Sequence, residues 1–385
     1  MRRYFIALGA TAIVAGALTV PSATVAAVPA SVRAVGVQAG ARPTQLTVVA
    51  RGLSSPRGIT LLPGGAVLVA EAGKGGAGPC IAGDEGPQCI GLSSALTAII
   101  NGRQHRIITG LPSLAAPDGT DAVGLDNVAV TPRGLVGALG MGNAPSARAS
   151  FGAKGKLLAS VVSLQPGAGA ARIADLAAYE QAHNPDAGDP GSSKDTDPYD
   201  VFATPTGLLV ADAGGNDILN VAPSGHVSTA AVLHAKLVAA PPLLHLPPGT
   251  KIPMQAVPTS ITRGPDGAYY LGQLTGFPFP VGAASVYRMV PGHAPTVYAS
   301  GFTNIIDVAF DRSGNLYVLE ISKQGLLSDS TVGALIKVDR RGHRTEIAKG
   351  KLMAPGGMAI AGDGSIYVSV NSTSPTSGQV VHFWP

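Results

Sequence analysis

Asn127, Asp200, Ser260 and Asp307 each open a short apolar run, and Glu71, Asp212, Gln273 and Glu320 each close the run that follows such an opening. Carboxylate and amide oxygens are hard donors and suit calcium or another divalent cation. A cation held by Glu71, Asn127, Asp200 and Asp307 would polarise an ester or lactone carbonyl and activate water. Asp212, Ser260, Gln273 and Glu320 would then form the rim of the same site. The alternative is that these side chains cap strand ends and hold channel water, and the sequence leaves both readings open. No catalytic residue can be assigned.

Other reactive side chains narrow the field. Asp186, Asp189, Asp195, Asp197 and Asp200 lie close together but lack EF-hand spacing. A solvated Gly/Pro/Asp loop accounts for them equally well. His105, His226, His293 and His343 follow or flank turn glycines, and no two of His183, His234 and His245 have metal-ligand spacing. The chain has no H-E-x-x-H, G-x-S-x-G, S-x-x-K or P-loop motif. A conventional serine or zinc hydrolase is therefore disfavoured; a triad scattered over several repeats carries no such motif. Cys80 and Cys89 are the only cysteines. Their spacing is not C-x-x-C and no histidine adjoins them, so a structural disulfide is expected, stabilising by roughly 2–3 kcal/mol through loop closure.

The elements that position these residues repeat. In Asn304–Glu320 an apolar run (Val308, Ala309, Phe310) meets a polar turn at Gly314, and a second run (Leu316–Leu319) ends on Glu320. Two short β-type runs around a glycine turn read as a hairpin. Copies recur about the turn glycines Gly65, Gly134, Gly207, Gly267, Gly314 and Gly364. Spacings of about fifty to seventy residues indicate a repeat architecture. A second pair of apolar runs follows most hairpins, most plainly Leu335–Val338 and Thr345–Ala348. Four strands per unit and six units predict an all-β, six-bladed β-propeller with four-stranded antiparallel blades.

The last unit reaches only a third strand, Gln379–Phe383, whereas Leu46–Ala50 before the first hairpin resembles a fourth. The N-terminal strand is thus expected to join the last blade and close the ring, removing an open edge. The large insertions (72–93, 141–156, 179–198, 235–258 and 274–283) all fall on the face opposite the short glycine turns. That face also carries the starts of the inner strands. Loops on a rigid scaffold are the usual place for binding.

Several runs resemble the ScyD/ScyE family: Gly52–Cys89, Ile108–Leu114, Ala174–Asp186, Asp197–Tyr199 and Ala211–Asn216. The resemblance extends over nearly all of the chain beyond its leader. That family is named for exported proteins encoded beside a cyanobacterial sunscreen-pigment pathway. More distantly, the repeat is similar to NHL-type and gluconolactonase-type propellers. The resemblance implies an exported propeller scaffold, and Glu71, Asn127, Asp200 and Asp307 resemble the metal set of lactonase propellers. Two functions follow as expectations. One is a binding scaffold for a protein, glycan or small-molecule ligand. The other is a calcium-dependent lactonase- or esterase-like hydrolase or lyase at the central channel.

The N-terminus and composition supply the context. Met1-Arg2-Arg3, the apolar run Ile6–Val20 and small residues around Val25-Ala26-Ala27 predict a signal peptide over 1–27, with a flexible lead-in over 28–43 and one domain over 44–385. Secretion, no transmembrane segment and a monomer are expected. The chain has 51 Gly and 31 Pro in 385 residues, 45% hydrophobic residues and only 13% charged ones, which suits a folded, turn-rich protein. Loss of Arg2 and Arg3 with the leader would halve the net charge of +4. No basic cluster with interleaved aromatics is present, so nucleic acid is not an expected partner.

Overall fold

The computed structural model describes residues 44–83 and 86–385. The expected signal peptide and lead-in lie outside the described residues. Six four-stranded antiparallel sheets follow one another around a ring. Blade 1 consists of Pro56–Leu61, Val67–Glu71, Gly86–Ile100 and Arg103–Ala115. Blade 2 consists of Leu125–Thr131, Gly134–Leu139, Ser160–Gln165 and Gly169–Asp175. Blade 3 is Pro198–Thr204, Gly207–Asp212, Asp217–Val221 and Val227–Val232. Blade 4 is Pro258–Arg263, Tyr269–Gln273, Ala284–Met289 and Thr296–Phe302. Blade 5 runs through Ile305–Phe310, Leu316–Glu320, Ala334–Val338 and Arg344–Ile347. Blade 6 contributes Gly357–Ile360, Ile366–Val370 and Gly378–Phe383, and its fourth strand is Thr47–Leu53, paired antiparallel with Gly378–Phe383. The protein is a six-bladed β-propeller.

Near-continuous apolar runs on the inner strands, such as Val67–Glu71 and Leu316–Glu320, give each blade two apolar faces, and these meet in seams between neighbours. Leu68, Leu96, Leu125 and Val162 fill the seam between blades 1 and 2. Val161, Val201, Val210 and Leu219 fill the next. Ile261, Leu271 and Ile218 join blades 3 and 4, and Val286, Phe302, Val308 and Val318 join blades 4 and 5. Tyr317, Leu335, Val368 and Phe383 bind blade 5 to blade 6. Leu53 and Val380 of blade 6 pack with Ile59 and Val69 of blade 1.

The face opposite the glycine turns is built up rather than loose. Cys80–Gly83 pairs with the start of Gly86–Ile100, and Cys80 stands directly opposite Cys89, to which it is disulfide-bonded. A 3-10 segment, Pro145–Gly155, and an α-helix, Leu176–His183, cover blade 2. Asp175 caps that helix through the Ala178 N–H at 3.0 Å, and Arg148 holds the same carboxylate with two bonds of 2.6 and 2.8 Å. Ile90, Leu114, Met141, Phe151, Leu158 and Ala177 form a separate core beneath this cover. Between blades 3 and 4, Lys236–Ala239 and Lys251–Met254 form an independent two-stranded ribbon. Segments expected as plain loops therefore carry their own strands, helix and core.

Candidate functional site

In blades 1 to 5 the pairing of the first two strands slips near the looped face. The slips fall between Pro56 and Ile59, Leu125 and Asn127, Pro198 and Asp200, Pro258 and Ser260, and Ile305 and Asp307. An extra residue in one strand of a pair re-aims a side chain that strict alternation would have turned away. Each blade thus offers two consecutive residues: Arg57 and Gly58, Asp126 and Asn127, Tyr199 and Asp200, Thr259 and Ser260, Ile306 and Asp307.

In three of the doublets the second residue laces one blade to another. Asn127 Nδ2 donates to Asp200 Oδ1 at 2.5 Å. Asp200 Oδ2 accepts the Ile261 N–H of blade 4 at 2.6 Å, and Asp307 Oδ2 accepts the Met358 N–H of blade 6 at 2.8 Å. Gly58 is required here, because a Cβ would lie 2.4 Å from Asn127 Oδ1. Burial lifts the Asp200 carboxyl to about 6. Burial, with the neighbouring Asp200 charge, lifts Asp307 to about 8. Ser260 is buried, and its Oγ has no hydrogen-bond partner among the described residues.

The acids that close the second strands have a different task. Glu71 Oε2 accepts the Ser54 N–H at 2.7 Å, Asp212 Oδ1 the Asp197 N–H at 2.6 Å, and Glu320 Oε1 the Thr303 N–H at 2.8 Å. In all three blades a carboxylate thus clasps the segment that leads into its own first strand. Glu71 is further held by Arg106 at 2.9 and 2.8 Å and by Thr97 at 2.5 Å. Asp212 also takes the N–H groups of Gly214 and Gly215 and the Thr196 hydroxyl. Burial raises the Glu320 carboxyl to about 7. Gln273 accepts from Tyr287 at 3.4 Å, and its buried Nε2 has no hydrogen-bond partner among the described residues.

The four residues expected to share a cation are not all placed together. Asn127, Asp200 and Asp307 come together on the inner strands, but Glu71 does not join them, since Arg106 saturates it within blade 1. The oxygens that remain on the inner strands are directed at backbone N–H groups. No group of three or more His, Cys, Asp or Glu is placed to share one ion among the described residues. The acidic segment is also not a solvated loop: Asp186 and Thr196 are buried, and Asn216 Nδ2 donates to Asp186 at 2.8 Å. His105, His226, His293 and His343 are all exposed.

The first residues of the doublets build a mouth that alternation could not foresee. Arg57 Nε donates to Asp126 Oδ1 at 3.3 Å, while its two terminal nitrogens donate to the Ser372 and Ala122 carbonyls at 2.7 Å each. Asp126 Oδ2 is buried with no hydrogen-bond partner among the described residues. Asp197, one residue before blade 3, accepts the Met141 N–H at 2.9 Å. The two carboxylates face each other across Gly140, where a Cβ would lie 2.4 Å from Asp197 Oδ1 and 2.6 Å from Asp126 Oδ2. Burial, reinforced by the Asp197 charge and opposed by Arg57, pushes Asp126 well above the carboxylate range. Burial and the nearby Asp212 lift Asp197 to about 7. Tyr199 stands among Arg57, Asp126, Asp197 and Asp307, and burial raises its hydroxyl. The signal in the sequence was the adjacent polar pair, Asp126-Asn127 and Tyr199-Asp200, where an alternating strand would show one.

No family model matches the chain, and no curated protein matches it. Among solved structures it is similar to a gluconolactonase from Xanthomonas campestris, with 10% identity over 88% of this chain and 89% of that one and a TM-score of 0.49. It is also similar to a virginiamycin B lyase from Staphylococcus aureus, with 14% identity, 84% and 81% coverage and a TM-score of 0.45. A third is the PQQ-bound aldose sugar dehydrogenase of Streptomyces coelicolor, with 12% identity, 88% and 98% coverage and a TM-score of 0.49.

Proposed function

We propose that the chain is an exported binding propeller of the ScyD/ScyE type, which takes a polyhydroxylated ligand such as a glycan at the channel mouth on the looped face. The carrying observation is the mouth itself. The Asp126 carboxyl, raised by burial, the Asp197 carboxyl, lifted to about 7, the Arg57 guanidinium and the Tyr199 hydroxyl converge from three blades. Donors and acceptors side by side suit hydroxyl groups. Exposed Leu92 and Val281, 50% and 66% accessible, stand on the surrounding insertions and offer apolar contact. The disulfide accords with an oxidising compartment, and the signal peptide read over 1–27 would deliver the chain there. The test is a glycan array probed with the labelled mature chain, followed by titration of any bound glycan. Tyr199→Ala should weaken binding by about tenfold or more, as loss of a buried interfacial aromatic does. Binding that is indifferent to Tyr199 would remove the mouth from the reading.

A second reading rests on the facing carboxyls alone. Two acids held at different protonation states are the arrangement of a general acid and base. Asp126 would give a proton to a leaving oxygen and Asp197 would take one from water or from a carbon acid, so a hydrolase or lyase needs no cation here. Turnover of a lactone and ester panel should then fall by about a hundredfold or more in Asp197→Asn. Equal residual rates in wild type and variant would dismiss catalysis at this pair.

A further inference from the structure

The ribbon between blades 3 and 4 stands apart from the channel mouth and has a composition of its own. Its two strands pair Lys236 with Met254, Leu237 with Pro253, Val238 with Ile252 and Ala239 with Lys251. Cross-strand partners share a face. Ile252 and Met254 are buried on the inner face, which anchors the ribbon to the body. The outer face presents Leu237, Ala239 and Lys251. Beyond the strands the chain turns through Pro242–Leu244, with His245 left-handed behind it. Leu237, Leu243 and Leu246 are 57%, 51% and 46% exposed. Three leucines in water on one protruding hairpin are not explained by folding, which would bury them.

The ribbon itself carries no acid, although Asp189 binds His234 and the Ala235 N–H at its base. From Ile218 to Pro265 the chain has no Asp or Glu, while Lys236, His245 and Lys251 lie on the ribbon and its tip. Lys236, opposite Met254 on the inner face, donates to Tyr287 of blade 4 at 3.1 Å, which leaves Lys251 as the lysine of the outer face. Exposed leucines beside Lys251, on a ribbon that has no acid of its own, match the chemistry of an anionic bilayer surface. Apolar tips enter the acyl boundary and cations meet the headgroups. A protein partner would need complementary acids and a shaped apolar cleft, and nothing about the ribbon's short, Pro-flanked tip selects for one.

We infer that the 236–254 ribbon is a lipid-docking arm, which seats the propeller on an anionic membrane surface through Leu243 and Leu246, with Lys251 against the headgroups. Its attachment is peripheral, since no helix among the described residues is long and apolar enough to cross a membrane. The inference does not depend on the ligand proposed for the mouth.

Cosedimentation of the mature chain with vesicles decides it. Binding is expected to vesicles of mixed phosphatidylglycerol and phosphatidylcholine, weakening as salt is raised, and not to phosphatidylcholine alone. Leu243→Asp with Leu246→Asp should reduce partitioning by about a hundredfold. Lys251→Glu should reduce it several-fold, by roughly fivefold or more. Both sites are exposed, so unchanged thermal melts would confirm that the variants fold. No partitioning of the wild-type chain to anionic vesicles overturns the inference, including the case in which the arm instead captures a protein. Partitioning that survives the leucine double variant overturns it as well.

Discussion

Asp200 and Asp307 illustrate how one residue type serves two ends at once. Each carboxylate ties its blade to a neighbour's backbone, and each is buried enough to be lifted above its ordinary range, to about 6 and about 8. Asp197 and Glu320 sit near 7, and Glu180 near 8. A carboxyl raised in the folded state binds its proton more tightly there than in the unfolded chain. Its contribution is complete below the unfolded value near 4 and is lost as pH climbs to the folded value. The melting temperature should therefore be highest in mildly acidic buffer and decline between about pH 4 and pH 8, then level off. Melts across that range check this, and a curve that rises steadily to pH 8 would contradict the assignment. At this scale the sequence was informative about type and position. Asn127, Asp200 and Asp307 were placed on one ring, and Cys80 and Cys89 were joined correctly. It was silent about partners: nothing near Glu71 in the chain announces that Arg106, on the outermost strand of the blade, will saturate it.

At the scale of elements, the glycine turns and the short apolar runs on either side of them were enough to find all six hairpins, because both are local. The slips in strand pairing were not found, since they depend on how a strand meets its partner rather than on its own residues. They matter more than the turns do for chemistry, because they bring Arg57, Asp126 and Tyr199 to the channel. The insertions show the same division. Their positions on one face followed from counting strands, but their contents did not. The 3-10 segment at Pro145–Gly155 has little apolar periodicity of its own and is fixed by Phe151 entering a core with Ile90 and Leu114 and by Arg148 gripping Asp175. Both partners are remote in the chain.

At the scale of the molecule, stability is distributed over six apolar seams rather than gathered in one centre. The strand Thr47–Leu53 contributes to the seam between blades 6 and 1, where Leu53 is fully buried and Ala50 is 3% exposed. A chain beginning after Leu53 would leave Gly378–Phe383 as an open edge and expose Val380. The loss of Leu53 alone costs about 1.5–3 kcal/mol, and the unpaired edge invites association. Such a truncation should melt several degrees lower and elute partly as oligomer in size exclusion. Melting and elution identical to the longer chain would show that the strand adds nothing to the ring.

The lacing of the inner strands has a consequence for how this protein can change. Because the apolar seams lie between blades, the residues at the axis carry little of the packing. In blades 2, 3 and 5 the second residue is committed to a neighbouring blade, through Asn127, Asp200 and Asp307, while the first follows no common pattern of bonding and differs in each of the five: arginine, aspartate, tyrosine, threonine, isoleucine. The mouth is in effect a dial of interchangeable settings mounted on a fixed bearing. A lineage of such chains could exchange one recognition chemistry for another by point substitution at those five places, without moving a strand.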